Sequence, residues 1–78
     1  MKNARNLSEG TRKVLEAIGQ AVNLLSENFV IMSIEDPQVI KELHQMEFWI
    51  YKKDAEYCIT LNGDVVVPEG FKPIKKGG

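Results

Sequence analysis

Between Ser8 and about Glu27 the apolar residues Val14, Leu15, Ile18, Ala21, Val22 and Leu25 recur at the period of an α-helix, while Arg12, Glu16, Gln20, Asn23 and Glu27 fall on the other side. A helix with one apolar stripe must bury that stripe against something. The remainder of a 78-residue chain therefore has to supply a second layer. Ser8 stands where an N-cap belongs, and Glu9 faces the positive end of the helix dipole. Gly19 inside the helix costs about 1 kcal/mol relative to alanine and marks either a close approach of another element or a tolerated defect.

The second layer reads as β-structure. Phe29 to Ile34 is a short β-branched run that we assign as a strand. Asp36-Pro37 then opens a short second helix, with Asp as N-cap and Pro at the first helical position, where its missing N–H removes no bond. Val39, Ile40 and Leu43 give that helix one apolar side, ending near Gln45. Phe48 to Lys52, Glu56 to Leu61 and Asp64 to Val67 are aromatic or β-branched runs separated by Asp54-Ala55 and Asn62-Gly63, the latter a preferred pair for a two-residue hairpin loop. Pro68-Glu69-Gly70 stops the last run. The predicted fold is α+β: a long N-terminal helix, a short strand, a short helix, and a three-stranded antiparallel meander with the helices packed on one sheet face. Residues 1–6 are read as a flexible N-terminus, 7–71 as a single domain, and 72–78 as a flexible basic tail.

Pairing across the two loops sorts side chains by face, since residues directly opposite each other point the same way. Phe48, Ile50, Tyr57, Ile59, Leu61 and Val66 form one face, which the helices are expected to cover. Trp49, Tyr51, Cys58, Thr60, Val65 and Val67 form the other, with Glu47, Lys53 and Glu56 at its margins. That second face is more apolar than a solvated sheet face should be.

Charge is divided along the chain. Residues 1–13 carry +3, residues 70–78 carry +3, and the body between them carries −7. The longest unbroken apolar stretch, Phe29 to Met32, is far short of the ~20 residues of a membrane span. The first residues lead into an amphipathic pattern rather than the apolar core of a signal peptide, so a cytoplasmic protein is expected. With a single cysteine, Cys58, the chain makes no internal disulfide and no multi-cysteine zinc site. A core that closes by packing alone in so short a chain implies modest stability, because about 60 to 65% of the unfolded surface is buried at this size.

Residues that carry chemistry are few. His44 is the one histidine and Cys58 the one thiol, and a nucleophilic pair needs them within hydrogen-bond reach; a strand cysteine and a lone helical histidine are more simply structural. Glu35-Asp36 and Asp54 with Glu56 are close acidic pairs, but Asp36 has a capping role and Asp54 a turn role. Gly10 and Gly19 form no phosphate loop. No catalytic residue, cofactor, metal or small-molecule substrate is expected. Trp49 and Tyr51 with the basic ends suit nucleic-acid stacking, which the −7 body opposes. The ending Lys75-Lys76-Gly77-Gly78 resembles the C-termini of ubiquitin-like and sulfur-carrier proteins. That resemblance implies E1-type activation of the terminal carboxylate and a β-grasp fold opening on a hairpin, whereas this chain opens on a helix. The expected function is protein–protein interaction, as a homodimer or with a larger target, through Trp49, Tyr51, Thr60, Val65 and Val67. A non-enzymatic adaptor, a complex subunit or a small inhibitor of the kind phages direct against host proteins would fit.

Overall fold

The computed structural model describes residues 7–74. It is an α+β fold in the order α1 (Glu9–Leu25), β1 (Phe29–Ser33), α2 (Pro37–Gln45), β2 (Trp49–Lys53), β3 (Glu56–Thr60) and β4 (Lys72–Pro73). The N-cap of α1 is Ser8, whose Oγ accepts from Thr11 N–H at 3.3 Å. Its C-terminus closes on Ser26 in the left-handed region (φ 56), where the Ser26 and Glu27 N–H groups both donate to Ala21 O, the latter at 2.8 Å, so that a left-handed residue ends the helix and a carbonyl of its last turns is satisfied. Asp36 caps α2, accepting from Gln38 N–H at 2.9 Å, with Pro37 in the first turn. The two N-caps, Ser8 and Asp36, stand where the sequence predicts them.

The sheet has the order β1-β3-β2-β4, with every neighbouring pair antiparallel. Asp54-Ala55 forms the β2–β3 hairpin loop, and Asp54 takes the positive φ (54) such a turn needs. Ile50 lies opposite Ile59, and Ile59 opposite Val30. These residues form the inner face, where Ile50 and Ile59 join Val14 and Ile18 of α1 and Val39 and Leu43 of α2 in one buried cluster. Leu15, Met32, Phe48, Tyr57 and Ile74 pack around it.

Four expectations are corrected. Asp64–Val67 is not a strand, and the meander stops at two strands. β3 has an edge on each side; β2 holds one and β1 the other, so no edge remains for Asp64–Val67. The choice follows burial, since Val30 and Met32 of β1 reach the core cluster. Asn62-Gly63 accordingly makes an Asx turn instead of a hairpin, with Asn62 Oδ1 accepting from Asp64 N–H at 2.9 Å. Leu61 and Val66, assigned to the core face, are 41% and 87% exposed. Finally, Lys72–Pro73, read as the start of a tail, is β4, and Ile74 N–H donates to Ile50 O at 3.1 Å. Residues 1–6 and 75–78, including Gly77-Gly78, lie outside the described residues.

Glycine usage also differs from expectation. A Cβ on Gly19 would meet nothing within 4 Å, whereas one on Gly10 would lie 2.8 Å from Val39 Cγ2. The close approach of α1 to α2 is therefore at Gly10, and Gly19 is the tolerated defect.

The connections explain the two-sided shape. Both β1 and β2 are antiparallel to β3, so they run parallel and α2 crosses between them; β3 and β4 likewise run parallel, flanking β2. Both crossovers step toward the same edge, along strands of opposite sense. Crossovers of one hand must then lie on opposite faces. They do: α2 packs on the inner face, and residues 61–71 pass over the outer one.

Candidate functional site

The outer face is built by the alternate residues of the same strands. Trp49 and Thr60 are opposite each other, with Phe29 beyond Thr60; Tyr51 and Cys58 are opposite, with Ile31 beyond Cys58. The crossing segment lies along one side of it. A Cβ on Gly63 would be 2.9 Å from Trp49 Cζ2, and one on Gly70 would be 3.0 Å from Lys53 Cδ. The chain thus touches the first and last residues of β2 on this face. Lys53 Nζ sits 5.9 Å from the centre of the Phe71 ring, within reach of a cation–π attraction.

This strap decides which of the expected binding residues are accessible. Thr60 is fully buried, and its hydroxyl donates to Asn62 O at 2.8 Å. Cys58 is fully buried beside it, and burial pushes its thiol pKa up to about 11. Tyr51 is half-buried; Val65 and Val67, which do not belong to a strand, are half-buried within the crossing segment. Trp49 remains 51% exposed and Ile31 40% exposed, and Leu61 and Val66 of the chain leaving β3 are also exposed. No family model, curated protein or solved structure matches this chain. The reading of the site rests on its own geometry.

His44 and Cys58 are not brought together. His44 is buried on α2, on the inner side of the sheet, where it lines a groove with Glu47, Phe48, Trp49, Ile50, Pro73 and Ile74. Cys58 points to the outer side, because its neighbour Ile59 points inward. Among the described residues, no group of three or more His, Cys, Asp or Glu is arranged to hold a metal ion. Among them, too, no helix is long and apolar enough to cross a membrane.

The strongest polar cluster is one that sequence reading passed over. Glu42, buried on α2, receives Ser8 N–H and Ser8 Oγ–H at 3.1 Å each on Oε1, together with the Thr11 hydroxyl. Its Oε2 accepts from Gln38 Nε2 at 3.0 Å. The Thr11 hydroxyl, then Gln38 and the Ser8 backbone, hold the Glu42 carboxyl down from 4.5 to about 2, against the opposing effect of burial. Glu42 thus caps α1 from α2, completing across two helices what a capping box does within one. The only sequence signal is a glutamate one residue away from the apolar stripe of α2, too weak to separate it from a surface charge.

Proposed function

We propose that this chain is a non-enzymatic protein-binding module whose contact surface is the part of the outer sheet face that the strap leaves open. The observation that carries the reading is Trp49, a large aromatic held in place by the backbone at Gly63 yet half exposed. A positioned aromatic beside other exposed apolar groups is the composition found at the centres of protein interfaces. The separation of His44 from Cys58, and the high pKa of the buried thiol, support the absence of nucleophilic chemistry. A free cysteine suits a reducing compartment, so the proposal includes a cytoplasmic location. Trp49, Tyr51, Val65 and Val67 contribute surface in this reading; Thr60 supports from beneath.

The test is quantitative affinity purification from the native host with wild-type and Trp49→Ala chains. A partner retained by the first and lost by a folded second supports the reading, because truncating a buried aromatic anchor costs about 2 kcal/mol or more of binding. Equal retention by both would sink it.

A further inference from the structure

The two edges of the sheet differ in a way that singles out β1. On the β4 side, Ile74 N–H bonds to Ile50 O, so Ile50 and, by alternation, Lys52 turn their backbone groups toward β4. Pro73, opposite Tyr51, then faces outward with no N–H to offer. A two-residue strand with an outward proline is a closed edge.

The same alternation runs across the sheet. If Ile50 faces β4, Trp49, Tyr51 and Lys53 exchange bonds with β3, and Tyr57 and Ile59 face β1. Val30 and Met32 receive them, which leaves the N–H and C=O groups of Phe29, Ile31 and Ser33 pointing away from the sheet. Among the described residues these groups have no other backbone bond. The strand Phe29-Val30-Ile31-Met32-Ser33 contains no charge, proline or glycine, the devices that ordinarily blunt an edge.

Its flanks say what it would accept. Glu27 precedes the strand, Glu35 and Asp36 follow it, and Glu56 lies opposite Ser33 on β3. Among the described residues, Lys13 is the one cation lining the groove beside Ser33, Ile34, Glu35 and Asp36. A second copy pairing antiparallel about Ile31 would bring the end of the strand that carries Glu27 to the end that carries the copy's Glu35 and Asp36, twice, and like charges brought together oppose such a pairing. We propose that β1 is a docking edge for an extended apolar strand of a protein partner that carries Lys or Arg at both ends. Backbone bonds to Phe29, Ile31 and Ser33 supply the pairing, and the acidic flanks select the partner. The inference rests on the reading of the chain as a protein-binding module, but uses the edge rather than the Trp49 face.

The experiment is an NMR titration with a synthetic peptide having a Val-Ile-Val-Thr-Val core and two lysines at each end, beside a twin with glutamates in their place. The lysine peptide should slow hydrogen exchange at the Phe29, Ile31 and Ser33 amides at least about tenfold, and the glutamate twin should bind about tenfold more weakly. Ile31→Pro removes an outward N–H without taking a bond from the β1–β3 ladder, and should abolish the protection. Should that variant lose its fold, Glu27→Lys with Glu35→Lys keeps the test, since the preference between the two peptides should reverse. Unchanged exchange at the three amides overturns the proposal. Shifts confined to the Trp49 indole and residues 61–71 overturn the edge but leave the outer-face reading standing. A doubled mass in sedimentation that Ile31→Pro returns to monomer makes the occupant a second copy, which also overturns it.

Discussion

The two faces of the sheet are made by alternate residues of the same strands, yet they are closed in different ways. The inner face meets two helices whose apolar stripes interlock with Ile50 and Ile59. The outer face meets a strap of irregular chain that touches it at Trp49 and Lys53 and leaves Trp49 and Ile31 partly open to solvent. A helix brings a continuous row of side chains and satisfies its own backbone bonds. A strap brings few side chains and must spend its polar groups on local turns such as that at Asn62. The inner face is therefore where stability resides, and the outer is where apolar surface remains open to solvent.

The largest expected effect lies on the inner face. Ile59→Ala should destabilise the chain by about 2 to 5 kcal/mol in urea denaturation, because a fully buried side chain leaves a cavity at the junction of both layers. Trp49→Ala should cost the isolated protein clearly less. Equal losses would mean that the strap closes the outer face as firmly as the helices close the inner.

The second test concerns how the helical layer is held. Hydrogen bonds from Thr11, Gln38 and Ser8 hold the Glu42 carboxyl down to about 2 in the folded protein, against 4.5 for the ordinary group. A lowered folded pKa means that the stabilisation is complete above about 4.5 and is lost as pH falls through that range toward 2. Urea midpoints measured across that window should fall with acidification in the wild type and change less in Glu42→Gln, which should be less stable at neutral pH. A Glu42→Gln profile that tracks the wild type would show that the inter-helix cap does not carry the acid sensitivity.

Smaller effects sharpen the outer face. Gly63→Ala places a methyl group against the Trp49 indole and should cost about 1 kcal/mol, the low end of overpacking because a half-exposed ring can yield. Its fluorescence should shift to the red as the ring moves into water. Val66→Ala should change stability by no more than about 0.5 kcal/mol, in contrast to Ile59→Ala. A loss comparable to Ile59→Ala would return Val66 to the core.

Much of the fold was legible locally. Ser8, Asp36-Pro37 and Asp54-Ala55 act through bonds to residues a few positions away, so their roles are present in the chain itself. The alternation from Trp49 to Lys53 and from Glu56 to Thr60, with one intervening turn, sorted those residues to the correct faces. Trp49 was accordingly placed on the face the helices do not cover. Thr60, from the same pattern, proved inaccessible, because burial by the strap is not a property of the strand that carries it.

What tertiary structure alone decided were the competitions. Asn62-Gly63 has a strong intrinsic preference for a hairpin, but β3 has only two edges, and β1, far away in sequence, occupies the second. The strand at Phe29–Ser33 and the cap from Glu42 to Ser8 both depend on partners about thirty residues distant, and no local preference encodes such a distance. The sequence by itself determined the helices, their caps, the β2–β3 hairpin and its alternation, because those are short-range properties of the backbone. The three-dimensional fold determined edge occupancy, the strap and the exposure of Trp49, because an edge or a face can be covered only once.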